Sequence, residues 1–189
     1  LAQTHIVGLA TNVQFLRGVL RTESFSQARL DTALIERERA VLFNQEPLGL
    51  PLAVAAAVGN TVLQEQAGAS RDPFSRRDGW RALGAPARHF CFEFHGDKHE
   101  AQLRYLHDGT YQLQVGEVRG PLAIGRLPDG ESELEFNARR HTVRVDEVGG
   151  TAYIFGTQGA TRITAIDRLA HAGDTQAEGG RLTAPMPGK

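Results

Sequence analysis

The hydrophobic pattern of this chain changes character twice. The first informative stretch is Leu48 to Gln66, LGLPLAVAAAVGNTVLQEQ, in which no polar side chain occurs between Leu50 and Val58. An amphipathic surface helix keeps a wet face, and this segment has none over its first half. Pro51 is tolerated only in a first turn, so the pattern predicts a helix starting near Leu50. Leu50, Leu52, Val54, Val58, Val62 and Leu63 would each gain about 1.5–3 kcal/mol on burial. Together that rivals the net stability of a whole domain, so the helix must be surrounded by protein.

From Arg88 to Ile166 the period becomes two. Phe90, Phe92 and Phe94 alternate with His89, Cys91, Glu93 and His95, which places the two sets on opposite faces of a strand. Turn dipeptides punctuate the region: Gly96-Asp97, Asp108-Gly109, Gly120-Pro121, Asp129-Gly130, Gly149-Gly150 and Gln158-Gly159. Eight strands are expected, near 88–95, 99–107, 110–117, 120–126, 132–138, 141–147, 151–156 and 160–166. Successive hairpins make an antiparallel meander whose apolar face needs cover, and one dry helix is available to cover it. The expected fold is therefore α+β: a long buried helix surrounded by an up-and-down antiparallel barrel of about eight strands, preceded by short helices. Closure of the barrel also removes exposed sheet edges.

The flanks are weaker. Thr11 or Asn12 can cap a helix carrying Phe15, Leu16, Val19 and Leu20 on one face, and a second helical piece is expected over Thr32 to Phe43. These pieces are too small to bury a core by themselves. Ala67 to Ala87, AGASRDPFSRRDGWRALGAPA, has no periodicity and reads as a long loop, with Phe74 and Trp80 arguing against disorder. After Asp167 a small, polar, Gly-rich stretch reads as a linker, followed by LTAPMPGK.

Composition narrows the function. The 189 residues carry a net charge of −1, with 41% hydrophobic and 23% charged residues, so no long-range field draws in nucleic acid or anionic lipid. No run of 18 apolar residues exists to form a spanning helix, and no secretory leader is visible at the start. Both ends look cut, as expected of a fragment. A single cysteine, Cys91, excludes an intrachain disulfide and is expected as a half-buried structural thiol in a strand. There is no Gly-rich phosphate loop.

Three segments together carry a resemblance. Gly8 to Glu38, GLATNVQFLRGVLRTESFSQARLDTALIERE, resembles the closing segment of a biotin carboxylase domain. Leu182 to Lys189, LTAPMPGK, resembles the opening strand of a biotinyl carrier domain. The middle, with DPFSRRDGW and then strands ending GTAYIFGTQGATRI, resembles the 3-methylcrotonyl-CoA carboxylase branch of acyl-CoA carboxylase α subunits. The geranyl-CoA and propionyl-CoA branches stand as alternatives. The resemblance implies four parts: residues 1–43 as the tail of the carboxylase domain, 44–167 as the BT domain that links the carboxylase to the carboxyltransferase, 168–181 as a linker, and 182–189 as the truncated start of the carrier. It also implies a non-catalytic piece of a ligase, working in the bacterial cytoplasm or a mitochondrial matrix. Its expected partners are the carboxyltransferase β subunit and the carboxylase and carrier domains of its own chain. Biotin and ATP-Mg would belong to the intact parent only. The biotinylated lysine of such carriers lies in a Met-Lys-Met turn that is missing here, so Lys189 is not that site.

Candidate sites are few. Phe74, Arg76, Arg77, Trp80 and Arg81 gather aromatics and arginines, the residue types that anchor protein interfaces. They are expected to meet the β subunit; Trp80 as a plug over the barrel mouth is the structural alternative. Nucleic-acid binding is disfavoured because Asp72 and Asp78 offset a small patch. His95 and His99, with Glu93 and Glu100, invite a metal, but a turn separates the two histidines and no metal site is expected. Arg139 and Arg140 are expected in an exposed hairpin turn. A lipocalin-like ligand barrel is the rival of another class, opposed by the helix that would fill its interior.

Overall fold

The computed structural model describes residues 4–9, 11–43, 48–68, 84 and 86–167. Four short helices come first: α1 (Val13–Arg21), α2 (Glu23–Ser26), α3 (Leu34–Arg37) and α4 (Arg39–Phe43). The long helix α5 (Leu50–Ala67) comes next. Eight strands complete the chain: β1 (Ala87–Phe94), β2 (Asp97–Tyr105), β3 (Tyr111–Val115), β4 (Val118–Arg126), β5 (Ser132–Phe136), β6 (Arg139–Val148), β7 (Thr151–Gly156) and β8 (Gly159–Ala165).

The strands pair in sequence order, all antiparallel, and β8 returns to β1 to close a barrel. The α+β helix-in-barrel expectation is borne out. Inward positions alternate strictly where the sheet is tightest: Ser132, Leu134 and Phe136 of β5 are buried while Glu133 and Glu135 face water. Leu103, Leu113, Leu134, Ile154 and Ile163 are fully buried and come from five different strands.

Helix α5 lies within this ring. Ala53 to Asn60 are all buried, eight successive residues covering every face of the helix. An eight-stranded barrel has room for little more than its own side chains, and the run of alanines keeps this helix thin. The tightest point is Gly59, where an added Cβ would stand 2.5 Å from Ile124 Cδ1 of β4. Pro51 occupies the first turn, as the sequence required. The lumen is thus filled by α5 and the inward residues packed on it.

Three turns differ from expectation. The β1–β2 turn is His95-Gly96, one residue earlier than Gly96-Asp97, because Phe94 pairs with Asp97 and both turn residues have positive φ. Gly120-Pro121 is no turn but part of β4: the chain passes the β5–β6 turn so closely that a Cβ on Gly120 would lie 3.3 Å from Asn137 Cα. The β5–β6 turn itself is Asn137-Ala138, with φ of 52° and 58°. Arg139 and Arg140 therefore open β6 rather than form the turn, and Arg140 spans Glu133 and Glu135 at 3.3 and 3.6 Å on the outer face. Cys91 is half-buried in β1, as expected.

Residues 4–43 are built differently. Asn12 stands at the N-cap of α1 without a side-chain bond, whereas Thr22 caps α2 by accepting from the Phe25 amide. The expected piece from Thr32 to Phe43 is two short helices, α3 and α4. Ser24 donates to Glu38, and Arg37 pairs with Asp31 at 3.2 Å, so polar bonds tie the turns together.

Candidate functional site

Among the described residues, polar contacts gather at two places on the barrel. At one mouth the end of α5 and the start of β1 lie side by side, flanking residues 69–85 of the sequence. These flanks are fixed by polar bonds. Arg88 of β1 donates to Glu65 of α5 at 2.7 Å, with the Glu65 side chain 12% exposed. The Arg88 guanidinium also lies 4.7 Å over the Phe90 ring. Burial pulls the Arg88 pKa down, but hydrogen bonds to Glu65 and Tyr105 outweigh it, and the net shift is upward. Arg88 is a permanent cation, and it locks the helix end to the first strand. Gln66 donates to the Tyr111 hydroxyl at 3.0 Å, and the Tyr105 amide bonds the Pro86 carbonyl at 3.0 Å. Tyr105 and Tyr111 meet edge to face, 5.4 Å apart.

Phe74, Arg76, Arg77, Trp80 and Arg81, the anchors expected from the sequence, lie in the segment between these flanks, outside the described residues. The expected linker 168–181 and carrier start 182–189 also lie outside the described residues.

The second place is the β7–β8 hairpin. Arg17 of α1 donates to the Thr157 carbonyl at 2.8 Å, and Gln14 to the Gln158 carbonyl at 3.1 Å. His5 packs on Phe155 with ring centres 4.8 Å apart. The N-terminal segment therefore rests on the barrel. Sequence reasoning had no signal for this contact, because about 140 residues separate the partners.

The metal candidates are divided by the sheet. His99 pairs opposite Phe92 and faces Phe94 at the inner side of the mouth, at 6.4 Å. Glu93 and Glu100 fall on the outer face with Lys98 and Cys91. His95 sits in the turn and stacks on Phe94 at 4.1 Å. Among the described residues no three His, Cys, Asp or Glu side chains converge as metal ligands. No described helix is long and apolar enough to cross a membrane.

An antiparallel barrel wound on its own helix, with polar contacts at both the helix end and the last hairpin, defines a helix-in-barrel domain. The family model for the BT domain of the methylcrotonyl-CoA carboxylase alpha subunit matches residues 49–168, from the N-cap of α5 to just past β8. The chain belongs to that family. It carries the non-catalytic BT domain of a biotin-dependent carboxylase α subunit, and its role is that of a scaffold. No curated protein matches the chain.

Proposed function

We propose that this barrel holds the carboxyltransferase β subunit of a 3-methylcrotonyl-CoA carboxylase through residues 68–86. Phe74 and Trp80 are the apolar anchors, and Arg76, Arg77 and Arg81 provide directed hydrogen bonds. Aromatics and arginine dominate the energy of protein interfaces. The carrying observation is the family match across the whole barrel, together with flanks of this segment pinned at one mouth by the Arg88–Glu65 pair. Fixed attachment points lower the entropy cost of presenting any segment to a partner.

In this reading residues 1–43 belong to the carboxylase domain and 182–189 open the carrier domain, joined through 168–181. Biotin and ATP-Mg act on the intact parent, which would serve leucine catabolism in a bacterial cytoplasm or a mitochondrial matrix. Exposed apolar side chains support the assignment of the first part. Among the described residues, nine of the eleven large hydrophobics that stand exposed lie between Ile6 and Phe43. Surfaces of that kind are made to be covered.

The test is co-expression of the chain with the carboxyltransferase subunit, then gel filtration. Co-elution is expected, and Phe74→Ala/Trp80→Ala should abolish it. Separate elution of the unsubstituted chain would refute the scaffold role toward this partner. Co-elution that survives the double substitution would move the anchors elsewhere.

A further inference from the structure

The barrel lumen is full, yet a cleft of about 290 Å³ opens on its outside, between the segment 4–17 and strands β7 and β8. Its size sits at the small end of ligand pockets. Arg17 of α1 and Arg162 of β8 both line it, and among the described residues no Asp or Glu does. Among the described residues neither arginine has a carboxylate partner in an ion pair. Arg17 is half-buried, and its bond to the Thr157 carbonyl fixes the guanidinium at the wall while leaving donors to spare. Val13 and Phe155 form an apolar wall, and the Tyr153 and Thr161 hydroxyls add polar lining. A second hollow shares His5, Arg17 and Phe155 with the first and adds Arg21 and Glu131, the latter making no ion pair with Arg17.

Two arginines beside an aromatic side chain, with no carboxylate among the described residues that line the cleft itself, match one ligand chemistry: a carboxylate on a compact apolar body. The arginine fork binds carboxylate through two parallel hydrogen bonds. We infer that this cleft binds small organic carboxylates whose body is aromatic or branched. Because one wall is the N-terminal segment and the other is the barrel, such a ligand tightens the joint between them by linkage. The described lining comes from residues 4–17 and 153–162 and the inference uses none of residues 68–86, so it stands whether or not that reading holds.

The experiment titrates benzoate into the isotope-labelled chain and tracks its amide signals, with benzamide as the neutral isostere. Benzoate should shift signals of Phe155, Gly159 and Thr161, and benzamide should bind about tenfold more weakly, the loss expected for one charged hydrogen-bond pair. Arg162→Gln, on an exposed outward position, should weaken benzoate by about tenfold. Arg119→Gln on distant β4 should leave it unchanged. Equal binding of benzoate and benzamide, shifts that avoid β7 and β8, no binding of benzoate, or an Arg162→Gln chain that binds as before would each overturn the inference. An effect of Arg119→Gln as large as that of Arg162→Gln would do so too, by showing only diffuse attraction to positive charge.

Discussion

The barrel with its helix and the four helices before it obey opposite packing rules. In α5 the centre is covered on every side, and Ala53 to Ala56 and Val58 have no measurable exposure. In α1 to α4 each helix buries only one residue, while Leu16, Leu20, Ile35, Val41 and Phe43 stand open. The barrel surrounds its apolar element from within one chain; the helical segment has a face and no core. The same chain therefore holds one unit with a closed core and one that leaves large apolar side chains exposed, and only the first carries the ordinary marks of a stable domain.

The largest expected effect separates the two regions directly. Val58→Asp places an unpaired charge at a site with 0% exposure and should cost more than about 4 kcal/mol, enough to abolish the cooperative thermal transition. Leu30→Lys, at a site 61% exposed, should change stability by less than about 0.5 kcal/mol and reduce self-association. Similar losses from both would erase the contrast.

Gly59 sharpens the account of how the helix fits. Gly59→Leu has no space against Ile124 and should cost about 1–3 kcal/mol or more by chemical denaturation. Gly59→Ala clashes with the terminal Cδ1 of Ile124 alone, its Cβ and Cγ1 lying at ordinary contact distances of 3.5 and 3.6 Å, and alanine's better helix propensity offsets that by up to about 1 kcal/mol. The alanine variant should stay within about 1 kcal/mol of the parent. A loss as large as that of leucine would mean the helix and β4 cannot yield at all.

A smaller gain is expected at the β5–β6 turn. Ala138 holds a φ of 58°, a conformation that costs a residue with a Cβ and suits glycine. Ala138→Gly should raise stability by about 0.5–1 kcal/mol, read as a higher denaturation midpoint. A drop would show the turn is held by contacts of the alanine methyl.

The least effect belongs to the β2–β3 turn. The Thr110 hydroxyl and amide both donate to Asp108 Oδ1, at 2.6 and 3.0 Å, and hold its carboxyl below the usual range. A depressed folded pKa means the contribution is present above the unfolded value of about 3.9 and is lost as pH falls through the lower folded value. The Thr110 amide signal should therefore move only in strong acid while the barrel core stays unchanged. Movement near neutral pH would contradict the assignment.

What could be read from the sequence obeys the same division. The helix from Leu50 and all eight strands were legible because dryness and alternation are local signals. Gly120-Pro121 misled because a glycine needed for close approach to Asn137 looks like a turn glycine. Asn137-Ala138 escaped because alanine at positive φ carries no turn signal, and the tight turn forced it there. For the candidate anchors around Trp80 only the flanks are described, and the Arg88–Glu65 latch that joins those flanks had no signature in the sequence. The carboxylate cleft was equally hidden, since it exists only once α1 rests on a hairpin far along the chain.

Amide hydrogen exchange on the whole chain is the most direct test of the barrel as a self-sufficient scaffold. The amides of Ala53 to Val58 should exchange only through global unfolding, together with those of β4 and β5, and orders of magnitude slower than those of α1 to α4. Exchange of α5 as fast as that of α1 would mean that the helix is not held by the barrel, and the account would fail.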